Sequence, residues 1–206
     1  MMITRREVRE RRRLRSRRLR AVLAGGVVLG IGVAATLAAW NDSEYGSASF
    51  TAGKFDIVGA VDGATFSNHA TAGTAATLNF QLVPTAMAPG NSTYALFSVK
   101  TANPSVAGTV QLIAGTPTGT GLAAHLTYGV RAIAGTTCNS TTYAAGTAVV
   151  ADGSALTAGG ATTQAVTANG ATQVNYCFAV TLPLAAPNAA QGLTMTQTWQ
   201  FLGTSS

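Results

Sequence analysis

Short segments in which apolar and polar residues alternate recur along this 206-residue chain, and they constrain its fold more than any other feature. Because successive side chains of a strand point to opposite faces, a period of two predicts strands with one buried face. Long segments with the 3.6-residue period of an amphipathic helix are missing from residues 40–206. The alternating segments are residues 78–82, 95–99, 126–132, 174–182 and 195–201.

Turn-forming residues separate these segments. Asp152-Gly153 and Asn169-Gly170 combine residues that tolerate positive φ, and they predict hairpin turns. Pro89-Gly90 is a further turn signal. Short strands with frequent turns and one apolar face each predict an all-β domain of two antiparallel sheets packed face to face. An up-and-down barrel is the alternative.

Positive charge is concentrated at the N-terminus. Ten arginines lie between Arg5 and Arg20, and an uncharged apolar run follows from Ala21 to Trp40. A basic segment, an apolar run and small residues at Ala38 and Ala39 predict a secretory signal peptide over residues 1–39, with a secreted domain over residues 40–206. Because the run is long enough to span a bilayer, an uncleaved anchor is the alternative.

The basic composition does not predict nucleic-acid binding, because the rest of the chain is slightly acidic. Beyond residue 20 the chain has three cations, Lys54, Lys100 and Arg131, and five carboxylates. The arginines therefore belong to the export segment, and contact with a membrane is expected only through that segment before cleavage. Low charge also leaves little electrostatic repulsion to oppose self-association.

The chain has two cysteines, Cys138 and Cys177. An even number of cysteines in an exported chain predicts a disulfide bond. With 38 residues between them, the chain-entropy model gives a stabilisation of roughly 4 kcal/mol at most. Two unpaired buried thiols are the alternative.

The sequence has no recognisable catalytic or metal-binding motif. Its two histidines, His69 and His125, are far apart, and neither belongs to an HExxH sequence. GxSxG and P-loop sequences are also missing. We therefore predict no catalytic residues, no metal ligands and no cofactor, and we do not expect an enzyme.

Two segments resemble a known family. The sequence Ala38-Ala39-Trp40-Asn41-Asp42-Ser43-Glu44 follows the apolar run, and Phe50-Thr51-Ala52-Gly53-Lys54-Phe55-Asp56 comes shortly after it. Both resemble the camelysin/TasA-like family of Gram-positive exported proteins. The closing segments 176–183 and 198–201 resemble actinobacterial members with an alternate-type signal peptide.

This resemblance implies a jelly-roll-like β-sandwich and a secreted subunit of an extracellular matrix, biofilm or surface fibre. It implies cleavage near Trp40 by a SipW-type signal peptidase. In the fibres of that family the segment after the cut is donated as a strand to the next subunit. On this chain the corresponding residues are Trp40, Asp42, Phe50, Gly53 and Phe55.

Two other functions fit the same sequence. A secreted or cell-surface β-sandwich that binds a glycan or a protein is the main alternative to a fibre subunit. A secreted peptidase is the third, because the family has been labelled a metallopeptidase family, but this chain lacks a histidine-based metal motif. An exposed aromatic cluster would favour the binding module.

Overall fold

The structure of this chain is a computed structural model that describes residues 5–36, 41–81 and 87–206. The chain forms two units, Met1–Phe50 and Thr51–Ser206. The predicted cleavage region, Ala38, Ala39 and Trp40, lies outside the described residues.

The first unit contains one long helix, α1 (Arg5–Thr36). Arginine, leucine and alanine are good helix formers, and they dominate this sequence. The helix begins within the arginine-rich stretch and continues through most of the apolar run. No helix among the described residues is both long enough and apolar enough to cross a bilayer.

The second unit is built almost entirely from antiparallel strands, which confirms the predicted all-β class. Among the described residues of this unit, the short α2 (Ser140–Ala145) is the only α-helix. In chain order the strands are β1 (Ile57–Ala60), β2 (Ser92–Thr101), β3 (Gly108–Ala114), β4 (Thr118–Gly119), β5 (Thr127–Ile133), β6 (Thr147–Ser154), β7 (Gln164–Val166), β8 (Val174–Thr181), β9 (Met195–Thr196) and β10 (Trp199–Ser205).

The strands form three sheets. The largest has five strands in the order β1-β2-β8-β5-β6, so that β8 occupies its centre. A second sheet has the order β10-β3-β7, and the short strands β4 and β9 form a two-stranded ribbon. All of the pairings are antiparallel.

The five-stranded and three-stranded sheets pack face to face through aromatic side chains. The ring of Phe201 on β10 stacks on Phe97 of β2, with centroids 4.7 Å apart, and it also contacts Tyr176 of β8 at 4.9 Å. Trp199 of β10 packs at 4.9 Å from Phe178 of β8. Tyr176 and Phe178 are completely buried. This interface is the core of a β-sandwich, as the sequence predicts; the finer jelly-roll assignment stays a prediction.

The alternation in the sequence correctly predicts which side chains of the central strands face the core. Tyr176, Phe178 and Val180 of β8 belong to the main core, whereas Cys177 and Ala179 belong to a smaller apolar cluster on the opposite face. The same division holds for β2, because its odd-numbered residues face the core.

Two of the predicted strands differ from the structure. Residues 78–81 form no strand, and Leu82 lies outside the described residues. The single segment predicted over 195–201 is divided between β9, which pairs with β4, and β10, which pairs with β3. Alternation identifies apolar faces but does not detect a strand that changes partner.

The two predicted hairpin turns also differ from the structure. Asn169 and Gly170 both have positive φ, as predicted, but their turn connects β7 to β8 in the other sheet. Asp152 and Gly153 lie within β6, where Gly153 has a φ of 78°. Register shifts between β5 and β6 accommodate this irregular part of the strand.

Candidate functional site

The predicted donor segment is irregular and exposed over Asn41–Gly53. None of these residues belongs to a helix or strand, and every one is exposed. Tyr45 and Phe50 expose 95% and 94% of their surface. Aromatic side chains this exposed are available for contact with another molecule.

The chain becomes part of the sandwich at Lys54. The carbonyl of Lys54 accepts a hydrogen bond from the Val106 N–H at 2.8 Å, and the carbonyl of Asp56 accepts one from the Ala102 N–H at 2.9 Å. Phe55 packs against the main core. Of the residues predicted for strand donation, Phe55 therefore belongs to the core of its own domain.

The other predicted donor residues lie before that point. Asp42 and Phe50 are in the exposed segment, and Gly53 is its last residue. A Cβ on Gly53 would lie only 2.7 Å from the Val106 side chain, so glycine permits this close passage. Trp40, the predicted aromatic anchor, lies outside the described residues.

Strand β10 provides an open edge of the three-stranded sheet. It pairs with β3 over all seven of its residues, and no described strand pairs with its other side. The Gly115 N–H donates to the Thr198 carbonyl, and the Ser206 N–H donates to the Ala107 carbonyl. These two bonds show that the even-numbered residues of β10 direct their backbone groups towards β3. By the alternation of an antiparallel ladder, the peptide groups that point away from β3 are those of Trp199, Phe201, Gly203 and Ser205.

The β10 edge lacks the features that normally prevent edge-to-edge pairing. Its sequence, WQFLGTS, has no charge and no proline, and its register with β3 has no bulge. Leu202 is 45% exposed on the outer face of this strand. This edge is therefore suited to pairing with an additional strand.

The other sheet edges that the structure describes are shorter or less regular. Strand β1 has four residues, and Gly59 already exchanges two hydrogen bonds with Ser67 on its outer side. Strand β7 has three residues. Strand β6 is longer, but its register with β5 shifts twice. We therefore take β10 as the candidate acceptor edge.

The outer face of the five-stranded sheet carries the disulfide. Cys138 and Cys177 are bonded as predicted, with Cα atoms 5.3 Å apart. Cys138 precedes α2, and Cys177 is completely buried at the centre of β8, so the bond attaches α2 to the sheet. A disulfide of this kind is typical of proteins in oxidising compartments.

A pocket of about 140 Å³ lies beside α2 on the same outer face. Two adjacent rows of paired residues line it. In the first row Tyr94 of β2 and Gly129 of β5 both pair with Ala179 of β8. The second row is composed entirely of hydroxyl-bearing residues, namely Ser92, Thr181 and Thr127.

Tyr143 of α2 and Asp152 of β6 complete the pocket. The hydroxyl of Tyr143 donates a hydrogen bond to Asp152 Oδ1, and Arg131 Nη2 lies 2.6 Å from Asp152 Oδ2. The bond from Tyr143 lowers the pKa of Asp152, and Arg131 adds to this effect against the opposing influence of partial burial. Burial, followed by the neighbouring carboxylate, raises the pKa of Tyr143. At neutral pH the pocket thus holds an ionised Asp152 paired with Arg131.

Gly129 makes room for this arrangement on the sheet surface. A Cβ at this position would lie 2.6 Å from Asp152 Oδ1 and would also collide with the Tyr143 hydroxyl. We expect Gly129→Ala to lower the free energy of unfolding by about 1–3 kcal/mol, because the bonded pair would have to move apart. Thermal unfolding measures the change.

Gly135→Ala is the matched control, since a Cβ there has no atom within 4 Å. Equal destabilisation by the two substitutions would contradict the role assigned to Gly129.

Sequence reasoning did not identify the pocket or the β10 edge. Tyr94, Tyr143 and Arg131 belong to three different elements, and Asp152 was interpreted as a turn residue. A carboxylate and an arginine in a chain with few charges were the only available signal.

Neither histidine belongs to these surfaces. His69 is partly buried, and its ring nitrogens bond Ser67 Oγ and the Thr74 carbonyl. No group of three or more His, Cys, Asp or Glu residues close enough to hold a metal occurs within the described ranges.

No protein-family model matches this chain, and no curated protein matches it.

Proposed function

We propose that this protein is a secreted structural subunit that assembles into an extracellular matrix or surface fibre by strand donation. The single observation that supports this most directly is the exposed segment Asn41–Gly53, which belongs to no helix or strand and has two exposed aromatic residues. In this proposal the segment of one copy pairs with the open edge of β10 in the next copy.

The dimensions and chemistry of the two surfaces are compatible. The donor segment has more residues than the seven of β10, and it contains no proline. Its carboxylates, Asp42 and Glu44, meet no like charge on β10. Each inserted residue would satisfy exposed backbone groups, and each hydrogen bond contributes about 0.5–1.5 kcal/mol net.

The donor and acceptor are different parts of the molecule, which determines the kind of assembly. A contact between unlike surfaces is heterologous, and repeated head-to-tail addition produces an open filament when the rotation does not close a ring. Low charge over residues 41–206 reduces the repulsion between neighbouring copies.

Export is part of the same proposal. A SipW-type signal peptidase would remove residues 1–39, and the new N-terminus would begin at Trp40, next to the donor segment. The arginine-rich start, the apolar run and the disulfide support an extracellular location.

Deleting residues 41–53 tests the proposal. We expect protein recovered from the medium or surface of expressing cells to form filaments in negative-stain electron microscopy, and we expect the deletion to abolish them. The thermal unfolding midpoint should remain unchanged, because the deleted residues are exposed. Filaments of unchanged form after the deletion would contradict the proposal.

A pair of lysine substitutions tests the acceptor. Leu202→Lys places a charge on the edge strand, and we expect it to reduce the sedimentable fraction by about tenfold because edge lysines oppose strand addition. Ile113→Lys is the control, since Ile113 is on the same face but on the interior strand β3. An equal loss with both variants would exclude β10 as the acceptor.

A further inference from the structure

We propose that the pocket on the outer face of the five-stranded sheet binds one ring of a neutral sugar. This site is separate from β10, which belongs to the other sheet, and it does not depend on the proposed assembly. The proposal is based on the shape of the pocket, its hydrogen-bonding groups and its balanced charge.

The shape of the pocket restricts the ligand to a small ring. Gly129 and Ala179 form a floor without bulky side chains, and the pocket has a volume of about 140 Å³. Sites for larger ligands are typically about 300–1,000 Å³. A single ring fits this space, whereas an extended peptide or several rings would have to project from it.

The walls of the pocket offer both stacking and hydrogen bonding. The rings of Tyr94 and Tyr143 lie 5.7 Å apart and are tilted by 58°. Tyr94 is only partly buried, so its ring has surface available for an apolar C–H face. The row next to Tyr94 carries the hydroxyl groups of Ser92, Thr127 and Thr181, of which those of Ser92 and Thr181 are hydrogen-bonded to each other at 2.7 Å. Pyranose rings combine an apolar face with a rim of hydroxyls, and this pocket matches both features.

The charge of the pocket favours a neutral ligand. Among the described residues that line it, Asp152 is the only carboxylate, and Arg131 neutralises that charge. The Asp152 side chain is 55% exposed, and its oxygens have lone pairs beyond those that accept from Tyr143 and Arg131. A carboxylate of this kind accepts bonds from neighbouring hydroxyls. Because the ion pair has no net charge, it gives an anion no net attraction, and a single paired carboxylate is a poor site for a metal cation.

The pocket is held by rigid elements, which reduces the entropy lost on binding. Four strands and α2 line it, and the disulfide attaches α2 to β8. The side chain of Asn139 accepts a bond from Thr142 N–H and begins α2 one turn before Tyr143. The aromatic wall is therefore fixed before a ligand arrives.

Saturation-transfer difference NMR on the full-length protein tests this proposal. The probes are glucose, galactose, mannose and N-acetylglucosamine, each titrated separately, with glucuronate as a charged counterpart. We expect at least one neutral sugar to bind, and we expect glucuronate to bind more weakly because no net positive charge in the pocket compensates the desolvation of its carboxylate. Absence of binding by all four neutral sugars, or tighter binding of glucuronate, would overturn the proposal.

Two variants locate the binding at the pocket. Tyr94→Ala should weaken the Kd by at least about tenfold through loss of stacking. Thr181→Val keeps the side-chain shape but removes one hydroxyl, and it should weaken binding by about threefold to tenfold. Tyr45→Ala removes a tyrosine outside the pocket and should leave the Kd unchanged. If the unaltered protein and both pocket variants bind equally well, the sugar does not occupy this site.

The assembly assay remains a separate readout. Because β10 and the donor segment are intact in Tyr94→Ala, this variant should still form filaments if strand donation is correct. Loss of sugar binding with filaments retained would support the two proposals independently, whereas absence of sugar binding alone would overturn only this one.

Discussion

Replacing both cysteines with alanine is expected to lower the free energy of unfolding by about 4 kcal/mol, one of the largest effects of any change in this domain. The bond closes a loop across 39 positions, so its loss returns a large conformational freedom to the unfolded chain. Cys138 and Cys177 are also buried, which adds the loss of packing between α2 and β8.

Chemical denaturation with and without a reductant measures this effect. The reductant should destabilise the native protein by a similar amount and should have no effect on the double variant, which is the matched control. Two free thiols in mass spectrometry of the non-reduced protein, or equal stability of both forms, would contradict the expected role of the bond.

Phe178→Ala should lower the free energy of unfolding by about 3–5 kcal/mol. Phe178 is completely buried on the central strand, and its ring contacts Trp199 and Phe201 of the opposite sheet at 4.9 and 6.4 Å. Truncation leaves a cavity between the two sheets. For a domain stabilised by about 5–15 kcal/mol, this loss is a large part of the total.

Phe50→Ala is the matched control for this change, because the same ring is removed from a residue that is 94% exposed. Its unfolding midpoint in denaturant should match that of the unaltered protein, while the midpoint of Phe178→Ala should fall strongly. A small effect at Phe178 would mean that the two sheets do not form a shared core.

The Phe50→Ala control also connects the stability of the domain to the proposed assembly. Phe50 is a donor-segment residue, so Phe50→Ala should weaken filament formation without changing the stability of the domain. Phe178 thus belongs to the aromatic residues that hold the two sheets together, whereas Phe50 and Tyr45 are exposed.

The sequence alone determined which side of each central strand would be buried. Alternation around Tyr176 and Phe178 assigned the core face of β8 correctly, because the geometry of an extended backbone places every second side chain on one face. The cysteine pair was also predictable, since only one pairing of Cys138 and Cys177 is possible. The arginine-rich start and the apolar run were likewise visible as a composition shift.

Only the tertiary structure decided which strands became neighbours. The position of β10 at an open edge depends on its partner β3, which is more than 80 residues away in sequence, and no local pattern encodes that choice. Asp152 was placed in a turn from the Asp-Gly pair, but the structure holds it within β6 beside Arg131 and Tyr143. The pocket likewise exists only because residues of β2, β5, β6, β8 and α2 meet on one face. Local periodicity follows from backbone geometry, whereas strand order and the sites built across strands follow from long-range packing.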